Sequence, residues 1–221
     1  MLSRVLKSES FVGAKASAST VDWQQQDDET LMQLYQEGAP EAFQVLFQRY
    51  QKRIFHYFLR SFREPEAASD LMQQTFLRIH RSRHDFEVTR SFEVWIFFIA
   101  SNLRKDELKR RSRRPGDVYW SDVQDLVGRE SKITQERQEK RPVTPEKALL
   151  TKERSEVLKA ALAKLPESQR EVIVLHKFQE LSFPQIAEIL GEKVEAVKSR
   201  AFRGYRALKR QLSSQQENYF Q

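Results

Sequence analysis

The apolar positions of this chain recur at three- and four-residue spacing, and no stretch alternates as a half-buried strand would. Between Pro40 and Phe62, the residues Phe43, Leu46, Phe47, Tyr50, Ile54 and Phe58 mark one stripe of a long helix. A shorter helix precedes it, capped by Asp27 or Asp28 and ended near Glu37, where Gly38 and Pro40 break the pattern. Pro65, a good first-turn residue, opens a third helix that runs to about Arg81 and buries Ala67, Leu71, Phe76 and Ile79. "SRHDFEVTRS" reads as a loop. A fourth helix follows from Phe92 to about Arg111 on a seam of Phe92, Trp95, Ile96, Ile99 and Leu103.

The periodicity then lapses. Residues 115–144, bounded by Pro115-Gly116 and Pro142, are mostly polar, and the stretch is longer than connections inside one compact domain usually are. It starts acidic (Asp117, Asp122, Asp125) and ends basic. Thr144-Pro145-Glu146 has the form of a cap followed by a first-turn proline, and helices are predicted at about 145–164, 167–179, 183–190 and 194–212. Residues 1–26 are Ser/Ala/Gln-rich and read as a disordered extension. Residues 214–221 read as a tail, whose "ENYFQ" resembles a protease recognition sequence lacking its Leu and is set aside as a tagging remnant. The expected fold is all-α: two small helical domains, 27–114 and 145–213, joined by a flexible linker.

The second domain carries the pattern of a helix-turn-helix. Ser182 and Gln185 resemble a capping box opening "FPQIAEIL", and Gly191 ends that helix in a short turn. Ala187, Gly191 and Val197 stand at helix-turn-helix spacing. On a helical wheel, Val194, Val197, Ala201, Gly204, Leu208 and Leu212 form the buried stripe of the last helix. Glu195, Ser199, Phe202, Arg203, Arg206 and Arg210 lie opposite. An arginine can bond a guanine edge in two places and an apolar ring can meet a thymine methyl. Lys198, Arg200 and Lys209 flank that face, where phosphate contacts would position the helix. The competing reading packs Phe202 on a neighbouring helix and leaves the arginines solvated.

Composition narrows the function classes. The net charge of +7 over 221 residues favours a polyanionic partner. The absence of cysteine excludes disulfides and thiolate metal sites and fits a reducing cytoplasm. No apolar run approaches the ~20 residues of a membrane span. His80 and His84 stand four apart, but no third metal ligand is evident beside them. No nucleophile-base pair stands out, so the expectation is a protein that is not an enzyme and uses no cofactor.

"ASDLMQQTFLRIHR" (68–81) and "WIFFIASNLRKDELKRRSRR" (95–114) resemble the second conserved region of bacterial RNA polymerase sigma factors. "LPESQREVIVLHKFQELSFPQIAEILGEKVEAVKSRAFRGYRALKR" resembles the fourth. A chain with only these two regions is similar to the extracytoplasmic-function (ECF) group. The resemblance implies a factor that directs core RNA polymerase to promoters, engaging the beta-prime clamp helices and the beta flap. It implies duplex and single-stranded promoter DNA as partners, and an anti-sigma factor as a further candidate. Asp70, Gln73, Gln74 and Leu77 would meet polymerase; the family usually has Glu where this chain has Gln74, so one charge is missing there. The minus-ten element would be melted and read by Asn102, Phe97, Phe98, Arg104, Lys105, Lys109 and Arg110. Single-strand stacking and core packing fit Phe97 and Phe98 equally well. The minus-thirty-five element would be read by Glu195, Lys198, Ser199, Arg200, Phe202, Arg203 and Arg206. Lys193 stands at the cap of that helix, where the family commonly has Ser. A plain dimeric helix-turn-helix regulator leaves "DLMQQTF" unexplained, and a protein-interaction adaptor predicts no promoter-dependent transcription.

Overall fold

Four packed helices make up the described residues of the first half. The computed structural model describes residues 22–113 and 156–218, and the residues it describes are helix and connecting turn, with no strand among them. Helix α1 is Asp28–Gln36, α2 Pro40–Phe62, α3 Pro65–Arg81 and α4 Phe92–Ser112, with a single 3-10 turn, Arg83–Asp85, in the loop before α4. The first residues of the extension (1–21), the linker (115–144), the start of the helix predicted at 145 and residues 219–221 lie outside the described residues.

Each boundary has a local cause. The Asp27 carboxylate accepts from Thr30 N–H at 2.7 Å and opens α1, which also lowers its pKa. Pro40 and Pro65 occupy the first turns of α2 and α3, where a missing N–H costs nothing. Ser91 caps α4 through the Val94 N–H. One expectation changes here: residues 22–26 are an ordered turn. Trp23 packs on the core and Arg49 donates to the Gln24 carbonyl at 2.7 Å, so an aromatic anchor and a charge-assisted bond hold a polar segment down.

The core of this bundle is aromatic. Phe76 is fully enclosed, edge-on to Phe43 at 6.2 Å and tilted on Phe47 at 4.7 Å. Tyr50 meets Phe92 at 5.3 Å and gives its hydroxyl hydrogen to Asp28. Burial and the nearby carboxylates raise the Tyr50 pKa far above the ordinary phenol value, so it remains a donor. On α3, Ala68 rather than Ala67 is the enclosed alanine.

The second half begins with a helical segment, α5, over residues 156–163. Helix α6, Glu167–Ile173, widens into a π-helical turn at Val174–Phe178; α7 is Phe183–Leu190 and α8 is Val194–Asn218. The π-turn replaces the last part of the regular helix expected to 179. Helix α8 extends past the expected end at 212, into the residues read as a tail. Arg170 on α6 reaches back to donate to the carbonyls of Leu162, Ala163 and Leu165, so a guanidinium closes the C-terminal end of α5. Burial first, and then the charge of Arg104, lowers its pKa to about 10, which leaves it charged at neutral pH.

Ser182 and Gln185 form a full capping box at the start of α7, and Gly191 adopts φ 68° at its end, a conformation that favours glycine. Gly204 on α8 has a different use. A Cβ there would stand 2.6 Å from Ile173 Cδ1, so its absence lets α8 press onto α6.

The two halves share one apolar core. Val172, Leu175, Leu181, Ile186 and Val197 belong to the same buried cluster as the aromatic residues of the first bundle, and α7 lies against α4. A smaller cluster of Ala161, Leu162, Leu165, Ile173 and Leu208 sits beneath α8. Replacing Ser182 with Ala removes the cap of α7 and is expected to cost about 0.5–2 kcal/mol, measured by urea denaturation of the full chain.

Candidate nucleic-acid interface

Helix α8 displays its residues as the wheel requires. Val197, Ala201, Gly204 and Leu208 are buried, while Glu195, Lys198, Ser199, Phe202, Arg203 and Arg206 are exposed. Phe202 is 69% exposed, more than any other large apolar residue among those described. Packing on a neighbouring helix is therefore not its role in this arrangement. It stands beside Arg203, whose guanidinium rests against the Ser199 carbonyl at 3.4 Å.

Arg200 departs from the expected phosphate-contacting role. Its two terminal nitrogens grip both carboxylate oxygens of Glu192 at 2.9 and 2.8 Å. This bidentate pair ties the turn to the second turn of α8. Lys193 offers no side-chain acceptor there; its carbonyl receives the Ala196 and Val197 N–H groups, and the Glu192–Arg200 pair braces the same helix start.

On α4 the sequence alone could not separate the outward stripe from the packed one. Phe98 is 45% exposed, Asn102 and Lys105 are partly exposed, and Lys109 is exposed. Their spacing of four, three and four places them on one face. Phe97, one residue round the helix, is fully buried, edge-on to Tyr57 at 5.8 Å and under the Arg53 guanidinium at 5.3 Å. Of the two readings open for Phe97, core packing holds, and its place among the residues reading the minus-ten element is corrected. Trp95 packs on Phe86 at 5.0 Å and on Phe92 at 6.0 Å, as a core residue would.

Arg104 is the larger correction. Its side chain is 2% exposed, and it faces the second domain rather than a DNA strand. Its Nη1 meets Glu171 at 2.9 Å, its Nη2 meets Glu167, and its Nε donates to Ser61 Oγ at 3.0 Å. Glu171 also accepts from the Tyr57 hydroxyl at 3.0 Å and from Ser101 Oγ at 2.9 Å. Burial, followed by the Glu171 charge, raises the Tyr57 pKa well above its ordinary value and keeps that donor protonated.

The basic exit of α4 is also partly committed. Arg110 forms two bonds to Glu107, at 2.6 and 2.7 Å. Arg111 bonds both Glu107 and Glu64 and lies over the Phe62 ring at 4.7 Å. These bonds lower the Glu107 pKa, the Arg110 contact first. Lys109, Arg110 and Arg113 line a shallow concavity with Asp106.

On α3, Asp70 and Gln74 are exposed and Gln73 and Leu77 are partly exposed, while Leu71, Thr75 and Phe76 face inward. The expected polymerase-facing residues therefore share an outward side of one helix. His80 is engaged by the Tyr35 hydroxyl, and the described residues hold no cluster of three metal-ligating side chains. Among the described residues no helix is long and apolar enough to cross a membrane.

Glu171, Glu192, Tyr57 and Ser101 carry no local signal of these roles, because their partners are remote along the chain or lie across a turn. The contrast within α4 is measurable: Phe97→Ala is expected to destabilise the chain by about 3–5 kcal/mol. Phe98→Ala should remain within about 0.5 kcal/mol of the parent in the same denaturation experiment.

Comparison with known proteins agrees with this geometry. The model of Sigma-70 region 2 matches residues 46–114, and that of Sigma-70, region 4, matches residues 155–208. The chain is 30% identical over 190 residues to the RNA polymerase sigma-H factor of Pseudomonas aeruginosa, covering 85% of this chain and 95% of that one. It is 33% identical over 175 residues to the ECF RNA polymerase sigma factor SigW of Bacillus subtilis, covering 79% and 91%. Among solved structures, CnrH in complex with the cytosolic domain of CnrY superposes with a TM-score of 0.59 at 25% identity, covering 85% of this chain and 97% of that one. RpoE of Bartonella quintana, solved with the anti-sigma factor NepR, superposes with a TM-score of 0.56 at 21% identity, covering 77% and 96%. With both regions in order, and with relatives matched over nearly their whole length, the chain belongs to the sigma-70 family of RNA polymerase sigma factors, in its ECF group.

Proposed function

We propose that this chain binds core RNA polymerase and directs promoter-specific initiation with two separate DNA-facing stripes. The pair of stripes carries the reading. On α8, Phe202 stands out among Arg203 and Arg206 over a buried Val197/Ala201/Gly204/Leu208 side. On α4, Phe98, Asn102, Lys105 and Lys109 form a stripe with one ring, one amide and two ammonium groups. The first has the chemistry for a major groove at the minus-thirty-five element. The second suits unpaired bases of the minus-ten element, where a ring can stack, an amide can bond a base edge and the ammonium groups can hold phosphates. Asp70, Gln73, Gln74 and Leu77 on α3 form the polymerase-facing surface. The factor acts by binding, without covalent chemistry, in the cytoplasm where its polymerase works.

Run-off transcription with bacterial core polymerase on a promoter library tests the reading: the chain should produce discrete promoter-dependent starts, and the absence of any would overturn it. Arg203→Ala should lower discrimination at one base pair of the upstream element by about 1–3 kcal/mol, read by binding to single-substituted sites. Lys198→Ala should instead weaken all sites evenly and reduce the salt slope by about one. An even loss for Arg203→Ala would make it a phosphate contact.

A further inference from the structure

A carboxylate is built into the flank of the DNA-facing helix, and it holds a cation that would otherwise face phosphate. On α8 the cations Lys198, Arg203 and Arg206 are exposed, and none of the three has a carboxylate partner among the described residues. Arg200 differs. Glu192 takes both of its terminal nitrogens, at 2.9 and 2.8 Å, leaving the Arg200 side chain 21% exposed and that of Glu192 31%. At ~100° per residue, Arg200 lies between the outward Arg203 and the buried Gly204. That is the edge where a helix seated in a groove passes the phosphates.

The carboxylate is fixed before any DNA arrives. With Gly191 at φ 68°, the chain turns back onto the end of α7: Gly191 donates to the Glu188 carbonyl at 3.2 Å and Glu192 to the Ala187 carbonyl at 2.9 Å. Glu192 is therefore anchored to α7 through its own backbone. Arg200 is anchored by α8, eight residues further on. Two fixed ends and a fork-to-fork geometry distinguish this pair from an ordinary surface ion pair between two free side chains.

We propose that Glu192 limits the sequence-independent hold of α8 on duplex DNA: it occupies Arg200, so that this guanidinium does not take a phosphate. Each phosphate neutralised adds affinity at every sequence and steepens the salt dependence by about 0.9 in log–log slope. It carries no sequence information. A paired Arg200 contributes no net charge at the flank. Drawing it away would leave the Glu192 carboxylate facing the same phosphates, so the pair holds against the backbone as well. Binding then depends more on Phe202, Arg203 and Arg206, and a chain on the wrong sequence leaves sooner. The inference rests on α8 being the promoter-reading helix, and the test separates the two.

Fluorescence anisotropy of a labelled duplex of arbitrary sequence, titrated with the full chain across a salt series, measures this hold. Glu192→Gln should steepen the slope by about 0.9 and tighten binding about eightfold at ~0.1 M salt, the factor such a slope gives over one decade of salt. The double variant Glu192→Gln/Arg200→Gln should return to the parent slope. Arg200→Gln alone should bind more weakly than the parent, because Glu192 then stands unpaired; it decides the matter if Glu192→Gln loses helical circular dichroism. Glu188→Gln removes the same charge from an exposed position on α7 and should keep the parent slope. An unchanged slope in folded Glu192→Gln, an equal rise in Glu188→Gln, a rise that survives in the double variant, or no duplex binding by parent and Glu192→Gln alike overturns the inference. A chain with the expected slopes that gives no promoter-dependent start in run-off transcription would instead overturn the function, and the role of Glu192 would stand.

Discussion

The guanidinium of Arg104 lies sealed between two domains, with carboxylates of Glu167 and Glu171 on one side and the Ser61 hydroxyl on another. A charge removed from water must be answered by partners of fixed position. Here those partners come from α2 and α6. Tyr57 and Ser101 share the Glu171 carboxylate with Arg104, so no member can shift without exposing another. The apolar cluster running from the first bundle into α7 supplies area, and the ion cluster supplies register. It determines which face of α4 meets the second domain and, by exclusion, which face is left for nucleic acid.

The two DNA-facing stripes share a construction. In each, a helix packed on its neighbours leaves a narrow outward strip where an aromatic ring stands next to cations. Phe202 on α8 and Phe98 on α4 are both exposed rings, and both sit where a base could cover them. Their supporting faces differ. The buried side of α8 is small and apolar, with Gly204 permitting close approach to Ile173. The buried side of α4 carries a charge, and that face is shielded only while the second domain is present.

Much of this was legible beforehand, and the exceptions have a common cause. Local signals worked: the apolar spacing of α2 and α3, the prolines at first turns, the Ser182/Gln185 box and the division of α8 into two faces all follow from contacts within a few residues. Phe97 and Phe98 could not be told apart, because α4 is packed on two sides and its apolar positions therefore run round the helix. Arg104 read as one more basic residue in a basic stretch, since the carboxylates that claim it lie 63 and 67 residues further on in α6. Arg200 likewise has the spacing of a phosphate contact, and its pairing with Glu192 across the turn is visible only in the fold. The ordered turn at residues 22–26 depends on Arg49, again a remote partner.

The π-turn at Val174–Phe178 acts on the molecule as a phase shifter. A π-turn accommodates about one extra residue relative to an α-helix, and one residue is worth about 100° of rotation. Upstream of it, α6 is phased to deliver Glu167 and Glu171 to Arg104; at its end Phe178, and just past it Gln179, are phased to meet Arg60 and Arg53. A single-residue deletion there would keep every helix and every motif of the second domain. It would nevertheless set the helix-turn-helix at a different azimuth from the first domain. In this packed arrangement the relative azimuth of the two domains is thus encoded in the count of residues along one turn, a quantity that inspection of either domain alone does not reveal.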